Sequence, residues 1–508
     1  MSGEAFQVVS PRDRSVLATL PVQGDGEVRQ AVATARAAQA GWARRTPAER
    51  ARHMRHLAEV LSREGEALAA QVRAETGKPL TEALAEVVVS VDLIRYYARV
   101  APRYLHPKTV STGWMVSKGG AVEREPYGVI GAITPWNYPL ILALDSITPA
   151  LFAGNGVVIK PSEFTPLTTM ALPAILESAG IPAGLVQVVT GDGSTGRSLI
   201  QGGVDRVVFT GSTATGRKVM ATAAEGLTPV TLELGGKDPA IVLEDADLER
   251  AARGVVFGGF FNAGQTCISV ERVYVVGSVY DDFVSRVQEL ASTLRAGVDD
   301  ACDVGPMITE PQMAIVKAQV ANALAMGARA LTGGAAPEGE GRVFPPTVLV
   351  DVTEEMDILT EETFGPVLPI VAVENEDEAV RRANATGYGL FASVWTRNRR
   401  RGLAVARRLR AGGVSINDVL SHYGVASLPM GGVGKSGFGR RRGLDALEDM
   451  TRSKTIFTDR SGLKREPFWF PYTPASTRLM RGVLEWRGRG GVSGVAGLLR
   501  HILGRKEA

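Results

Sequence analysis

Three features of the sequence predict an α/β fold. Short Val- and Ile-rich runs of four to eight residues recur after Arg124, Gly/Pro turns separate them, and helical segments lie between. Strands that alternate with helices require a mostly parallel sheet covered on both faces. The 508 residues exceed an ordinary domain, which spans ~100–200 residues, so more than one such unit is expected.

Taken in order, residues 25–105 read as a helical layer. Thr46-Pro47-Ala48-Glu49 combines a capping Thr, Pro at the first helical position and Glu three residues after the cap. Apolar residues then recur at helical spacing through the segment that follows, and His53 and His56 fall on its basic face. From Tyr127 to Ile159 Asp145 is the only Asp, Glu, Lys or Arg before Lys160, which imitates a membrane span. Pro135, Asn137, Pro139, Pro149 and Asn155 interrupt it, so buried core around a functional turn is the better reading. YGVIGAIT, GNGVVIK, LVQVVT, RVVFT and PVTLEL read as successive strands. The alternation resumes after Lys237 with AIVL, VYVVG, VLPIVAV and FASVWT, forming a second α/β unit. Residues 333–342 read as a polar loop, and no internal repeat is evident.

Composition excludes several classes. Hydrophobic residues at 45% and charged residues at 22% rule out disorder and fibres, and a net charge of +3 does not advertise a nucleic-acid partner. The charge is uneven, since residues 459–508 hold ten Lys/Arg against four Asp/Glu, a net +6. Two cysteines in this length exclude a disulfide scaffold and suit a reducing compartment. The five histidines are scattered without a metal-binding motif, so no metal site is expected. The opening residues carry acid and lack an apolar core, unlike a secretory signal, and a cytoplasmic protein is expected.

Four segments carry the chemistry. Gly191-Asp192-Gly193-Ser194-Thr195-Gly196 spells GxGxxG between a strand and a helix, a pattern suited to a pyrophosphate at a helix N-terminus. Phe209-Thr210-Gly211-Ser212 opens a second strand-to-helix turn. Either could be a plain turn; two in tandem favour one nucleotide site. Cys267 lies in the small, polar run Gly264-Gln265-Thr266-Cys267, the setting a reactive thiolate requires, whereas Cys302 reads as loop packing. Glu233 ends an apolar strand in Leu232-Glu233-Leu234-Gly235-Gly236-Lys237, where it is either a half-desolvated general base or a solvated strand-end acid.

Together with Thr134-Pro135-Trp136-Asn137-Tyr138-Pro139, Val158-Ile159-Lys160-Pro161-Ser162-Glu163 and Glu361-Glu362-Thr363-Phe364-Gly365-Pro366, these segments occur in the order seen in NAD(P)-dependent aldehyde dehydrogenases. The chain resembles that family over residues 5–458, and its Cys267-Ile268-Ser269-Val270-Glu271-Arg272 run looks most like the succinate-semialdehyde branch. The resemblance implies a Rossmann-like cofactor domain (1–107, 127–233 and 418–449) and an α/β catalytic domain (234–417). It also implies a small β arm for oligomerisation (108–126 and 450–458), with 459–508 as an added basic, aromatic tail.

The resemblance further implies that Cys267 attacks the aldehyde, that Asn137 holds the oxyanion, and that Glu233 activates water against the thioester. Lys160 and Glu163 would bind the adenosine ribose, Gly211 and Ser212 the pyrophosphate, with Gly193 on the adenine side. Glu362 would fix the nicotinamide ribose, with Trp136, Leu234 and Phe364 beside the cofactor. Glu163 suits a free 2′-hydroxyl, so NAD is expected over NADP. Many relatives carry an acid after the last Gly-x-Gly-Arg; here Arg441 and Arg442 follow Arg440, which leaves any proton relay through that acid in doubt. The implied reaction is oxidation of an aldehyde to a carboxylic acid, with succinate semialdehyde as a specific substrate or a CoA-acylating variant as alternatives. A homodimer or homotetramer is implied. For the tail, packing of Phe468–Tyr472 on a neighbouring subunit is weighed against weak contact with a membrane surface, and its glycines are expected to weaken any continuous helix.

Overall fold

The computed structural model describes residues 4–336, 341–489 and 491–503, so residues 337–340 of the expected polar loop lie outside it. The chain divides into two compact units, residues 1–104 with 126–452 and residues 105–125 with 453–508.

The larger unit contains two main sheets. In the first, the strands run in the order Gly437–Phe438, Val230–Glu233, Arg206–Thr210, Val129–Ile133, Gly156–Lys160 and Val186–Val188. All neighbouring pairs are parallel except the first. The strands Val129–Ile133 and Gly156–Lys160 are buried at every position, which is why they read as continuous apolar runs without alternation. Register aligns Ile133 with Lys160 on one side and with Phe209 on the other, and Thr210 with Glu233. The chain order therefore reverses on either side of Val129–Ile133, which opens a crevice at the carboxyl ends of the strands.

The second sheet has seven strands, and Pro239–Val242 pairs in parallel with Arg272–Val276 on one side and Phe391–Trp395 on the other. The expected runs account for five strands of the first sheet and four of the second, whereas Gly437–Phe438, Arg329–Thr332, Thr347–Val350 and Gly413–Ile416 were not read as strands.

Helices cover these sheets as expected. Thr46 accepts the Glu49 backbone N–H at 3.2 Å, and its own N–H donates to the Glu49 carboxylate at 2.7 Å, so the capping box is formed. Met54, Leu57, Ala58 and Leu61 point inward from that helix. The membrane-like stretch is a strand, the wholly buried helix Ile141–Ala153 and another strand. No helix among the described residues is long and apolar enough to cross a membrane.

The smaller unit holds a three-stranded sheet ordered Thr451–Asp459, Lys118–Pro126 and Lys108–Val110. The buried Lys118 ammonium pairs with Asp459 and Glu466. Phe468 meets Trp114 edge-on with ring centres 5.9 Å apart, while Trp469, Phe470 and Tyr472 are exposed.

The tail departs from expectation. Pro474–Arg489 and Gly491–Leu503 are both helices. A Cβ on Gly482 would come within 3.0 Å of His501 and Leu498, and one on Gly497 within 2.6 Å of Glu485. These glycines let two helices approach closely, and the packing offsets the propensity cost of ~1 kcal/mol each that isolated helices would carry. Gly490 lies outside the described residues.

One buried amide ties the larger unit together. Asn155 accepts the Gly128 N–H at 3.0 Å and donates to the carbonyls of Ala150 at 3.2 Å and Met450 at 2.9 Å. Asn155→Ala leaves a buried donor and the Met450 carbonyl without this partner, and we expect a loss of about 3 kcal/mol. A urea midpoint shift on the purified variant measures it.

Candidate active site

Cys267 follows the tight turn Phe261–Gly264, in which Asn262, Ala263 and Gly264 have φ of 54°, 53° and 69°. Only glycine fits the third position, because a Cβ there would sit 2.1 Å from the Gly365 carbonyl oxygen. Side chains hold the strained turn. The Asn262 amide donates to the carbonyls of Asn137 at 3.2 Å and Gln265 at 3.1 Å, and the Asn262 N–H donates to Glu82 at 3.0 Å. The Gln265 amide donates back to the Asn262 carbonyl at 3.0 Å and accepts the Ile308 N–H at 2.9 Å.

Asn137 stands across from this loop. Its amide donates to the Gln265 carbonyl at 2.9 Å, and that amide nitrogen carries a second N–H. The buried Lys78 ammonium fixes the Asn137 carbonyl at 2.8 Å and pairs with Glu86 at 2.7 Å. Glu86 in turn accepts the backbone N–H groups of Leu140 and Ile141 at 3.1 and 3.2 Å.

A cavity of about 240 Å³ brings Cys267, Asn137, Glu233, Leu234, Glu362, Phe364 and Trp136 together. Glu233 is buried, one of its oxygens has no hydrogen-bond partner, and burial pushes its pKa up to about 8 against the opposing pull of Arg441 and Arg440. Its carboxylate lies where a Cβ on Gly431 would come within 2.8 Å, so a side chain there would displace it. Burial pushes the Cys267 thiol well above its ordinary value, and the carboxylates of Glu233, Asp238 and Glu362 add to the shift. The resting sulfur is therefore protonated.

Arg441 lines the wall of this cavity. Its guanidinium donates to the hydroxyls of Ser146 at 2.8 Å and Thr210 at 3.2 Å. Arg442 is buried against Asp145 at 3.1 Å and stacks 3.6 Å above the Tyr423 ring.

A second cavity of about 430 Å³ shares Pro135, Trp136, Thr210, Gly211 and Ser212 with the first. Lys160, Glu163 and Gly193 line its far end. The Lys160 ammonium donates to the Gly191 carbonyl at 2.9 Å and lies 3.7 Å from Glu163.

The two Gly-rich turns differ in one respect that decides between them. At the GxGxxG helix, the Asp192 carboxylate already caps the Ser194 N–H at 2.8 Å, placing a negative charge where a phosphate would have to sit. At the other, the neutral Ser212 hydroxyl caps Thr215 at 3.2 Å and the first turn has no acid. The lining of the two joined cavities fits a dinucleotide, and the helix N-terminus at Ser212, free of a competing carboxylate, lies in the part they share. The Gly193 face supports that fit, since a Cβ there would meet nothing within 4 Å. Near Cys267, Glu362 accepts the Gly236 N–H at 2.9 Å, and a Cβ on Gly235 would collide with its carboxylate at 2.2 Å. Trp136 and Phe364 meet edge-on with ring centres 5.4 Å apart.

Sequence reading missed several supports of this site. Glu271 accepts the N–H groups of Thr363 and Phe364, both at 2.9 Å, and pairs with Lys237 at 2.7 Å, so it fastens the loop that carries Glu362. An acid at the entry of the buried strand Arg272–Val276 was the available signal. Lys78, Glu86 and Asn262 gave none, because their importance arises from contacts more than forty residues away in the chain. Cys302 is remote from the cavity; its S–H donates to the Asp299 carbonyl at 3.2 Å.

Comparison with known proteins agrees with this geometry. The profile described as "Aldehyde dehydrogenase family" matches residues 1–456. The chain is 40% identical over 481 residues to a "4,4'-diapolycopene aldehyde oxidase" of Methylomonas sp, covering 94% of this chain and 90% of that one. It is 41% identical over 480 residues to a "Putative succinate-semialdehyde dehydrogenase" of Mycolicibacterium smegmatis whose name specifies NADP(+), covering 93% of each chain. The crystal structure of an NAD-dependent aldehyde dehydrogenase from Sinorhizobium meliloti is similar with a TM-score of 0.88 and 38% identity, covering 92% of this chain and 93% of that one. The chain belongs to the aldehyde dehydrogenase family, whose members are oxidoreductases acting on the aldehyde group.

Proposed function

We propose that this chain oxidises an aldehyde to its carboxylic acid with NAD through a covalent adduct on Cys267. The observation that carries the reading is the single cavity in which Cys267 faces a buried Glu233 with an unpartnered carboxylate oxygen. Lys160, Glu163 and Ser212 would hold the adenosine and phosphates, and Glu362 the nicotinamide ribose. Bound NAD would supply the acceptor for the hydride that leaves the adduct carbon, and a positive ring charge that favours the thiolate.

In this reading the Cys267 thiol first loses its proton to water in the cavity, the sulfur then forms a bond to the aldehyde carbon, and the carbonyl electrons move onto oxygen. The second Asn137 N–H holds that oxyanion, a contribution of about 3–4 kcal/mol in comparable sites. Loss of hydride leaves a thioester. Glu233 then takes a proton from water, the hydroxide adds to the thioester carbon, and the sulfur departs with the bonding pair. Transfer to CoA would not need this base, so the aim of Glu233 into the cavity favours hydrolysis. The three-stranded sheet and the exposed Trp469, Phe470 and Tyr472 support the expected homo-oligomer. The net +6 of the tail keeps contact with an anionic surface as its second reading.

Cys267→Ala is expected to abolish NADH production while retaining NAD binding, whereas Cys302→Ala keeps activity near wild type. Steady-state turnover and a fluorescence titration with NAD check both; turnover by Cys267→Ala removes the mechanism. Glu233→Gln should give a rapid burst of NADH followed by hydrolysis slower by about 10²–10⁴-fold. Because the base must be ionised, wild-type thioester hydrolysis should rise with pH through about 8 and be lost below it. Arg441→Met removes a positive charge that favours the ionised carboxylate and should move this midpoint upward in a single-turnover pH profile. For cofactor choice, kcat/KM should be higher with NAD than with NADP, and Glu163→Gln should narrow the ratio. Equal use of both by the unmodified enzyme overturns the role of Glu163.

A further inference from the structure

Cys267 also borders a third cavity, of about 400 Å³, which shares no lining residue with the cavity that holds Lys160 and Glu163. It shares Leu142, Cys267 and Tyr423 with the cavity that holds Glu233. Its wall is built of apolar side chains, among them Val89, Ile141, Leu142, Phe257, Phe261 and Ile268. The Phe257 and Phe261 rings lie 5.1 Å apart, and Phe257 is 51% exposed, so the apolar wall reaches the protein surface.

The charges in this wall all have one sign. Glu82 and Glu86 line it, and no Lys, Arg or His does so among the described residues. Two cations lie behind this wall and outside its lining: the Lys78 ammonium bonds Glu86 and the Asn137 carbonyl and lies 4.1 Å over the Tyr138 ring, and Arg442 pairs with Asp145 and stacks on Tyr423. Glu82 keeps one oxygen without a partner. Arg441 is not part of this wall: it lines the other cavity with Thr210 and Glu233, and its two terminal nitrogens donate to Thr210 and Ser146. A substrate with a carboxylate at its far end would therefore place that charge against apolar carbon and two acids, with no counter-ion to offset desolvation. An alkyl or alkenyl chain meets no such cost and gains by leaving water.

We propose that this cavity is the substrate channel of the chain and that it selects long, uncharged, apolar aldehydes and rejects dicarboxylate semialdehydes. Glu82 and Glu86 with the Phe257–Phe261 wall are its specificity determinants. The inference rests on the proposed reaction at Cys267, because the channel ends on that sulfur.

The experiment compares initial rates of NADH formation by the full chain with butanal, hexanal, octanal, decanal and succinate semialdehyde. The expected result is a kcat/KM that climbs about three- to four-fold per added methylene until the channel is filled, with decanal at least 100-fold better than succinate semialdehyde. Phe257→Arg, which places a cation at the exposed rim, should lower the decanal to succinate-semialdehyde ratio at least ten-fold. Both substrates are measured on one preparation, so the ratio is unaffected by any fraction of misfolded variant. A succinate-semialdehyde kcat/KM equal to or above that of hexanal overturns the channel assignment while leaving Cys267 chemistry intact. No oxidation of any aldehyde removes the proposed reaction and this inference together.

Discussion

The backbone that presents Cys267 passes through three consecutive left-handed residues, two of which carry side chains. Each such non-glycine residue costs of order 1–3 kcal/mol and persists only where its surroundings over-determine it. Here the surroundings are the side-chain amides of Asn262, Gln265 and Asn137, which donate to the backbone carbonyls of Asn137, Asn262 and Gln265. Asn137 is in turn fixed through Lys78, and Lys78 through Glu86, which also caps the start of the buried helix Ile141–Ala153. The position of Cys267 is thus coupled to two layers of the fold: a strained turn in one and an ion pair in the other. The carbonyls of Asn137 and Gln265 each accept two of these donors, so the members of the network are coupled through shared acceptors.

Desolvation sets the electrostatic character of the site. Glu233 and Glu362 are both pushed up to about 8, and Asp238 is raised as well, chiefly by burial. The thiol rises with them, because each neighbouring carboxylate opposes a further negative charge. A cluster of acids around a sulfur would be unfavourable if all were ionised together; burial keeps part of it neutral. Arg441 works against this trend at Glu233 alone. The positive charge of Arg441 biases the Glu233 carboxylate toward the ionised form.

Much of this arrangement was legible in the sequence because it depends on local pattern. Strand runs, the capping box of Thr46 and the order of motifs can all be read without distant contacts. The two Gly-rich turns show where local pattern fails: GxGxxG has the right spelling, but Asp192 turns its carboxylate onto the helix terminus. Spacing does not encode which atom a cap uses. The tail glycines mislead in a similar way, since propensity counts Gly482 and Gly497 as weak points until the partner helix is present. Lys78, Glu86, Asn262 and Glu271 are invisible for a third reason. Each is an ordinary polar residue whose importance comes from being buried beside a segment distant in the chain.

The protonated state of Cys267 has a bearing on the protein's endurance. Peroxides attack thiolates, and the rate follows the fraction of sulfur that is ionised and exposed. Burial and the surrounding carboxylates hold that fraction very low in the resting chain. The same desolvation that delays nucleophilic attack therefore shields the sulfur from sulfenic and sulfinic acid formation between turnovers. In the proposed reaction, susceptibility to oxidation would be confined to the interval in which the sulfur is ionised.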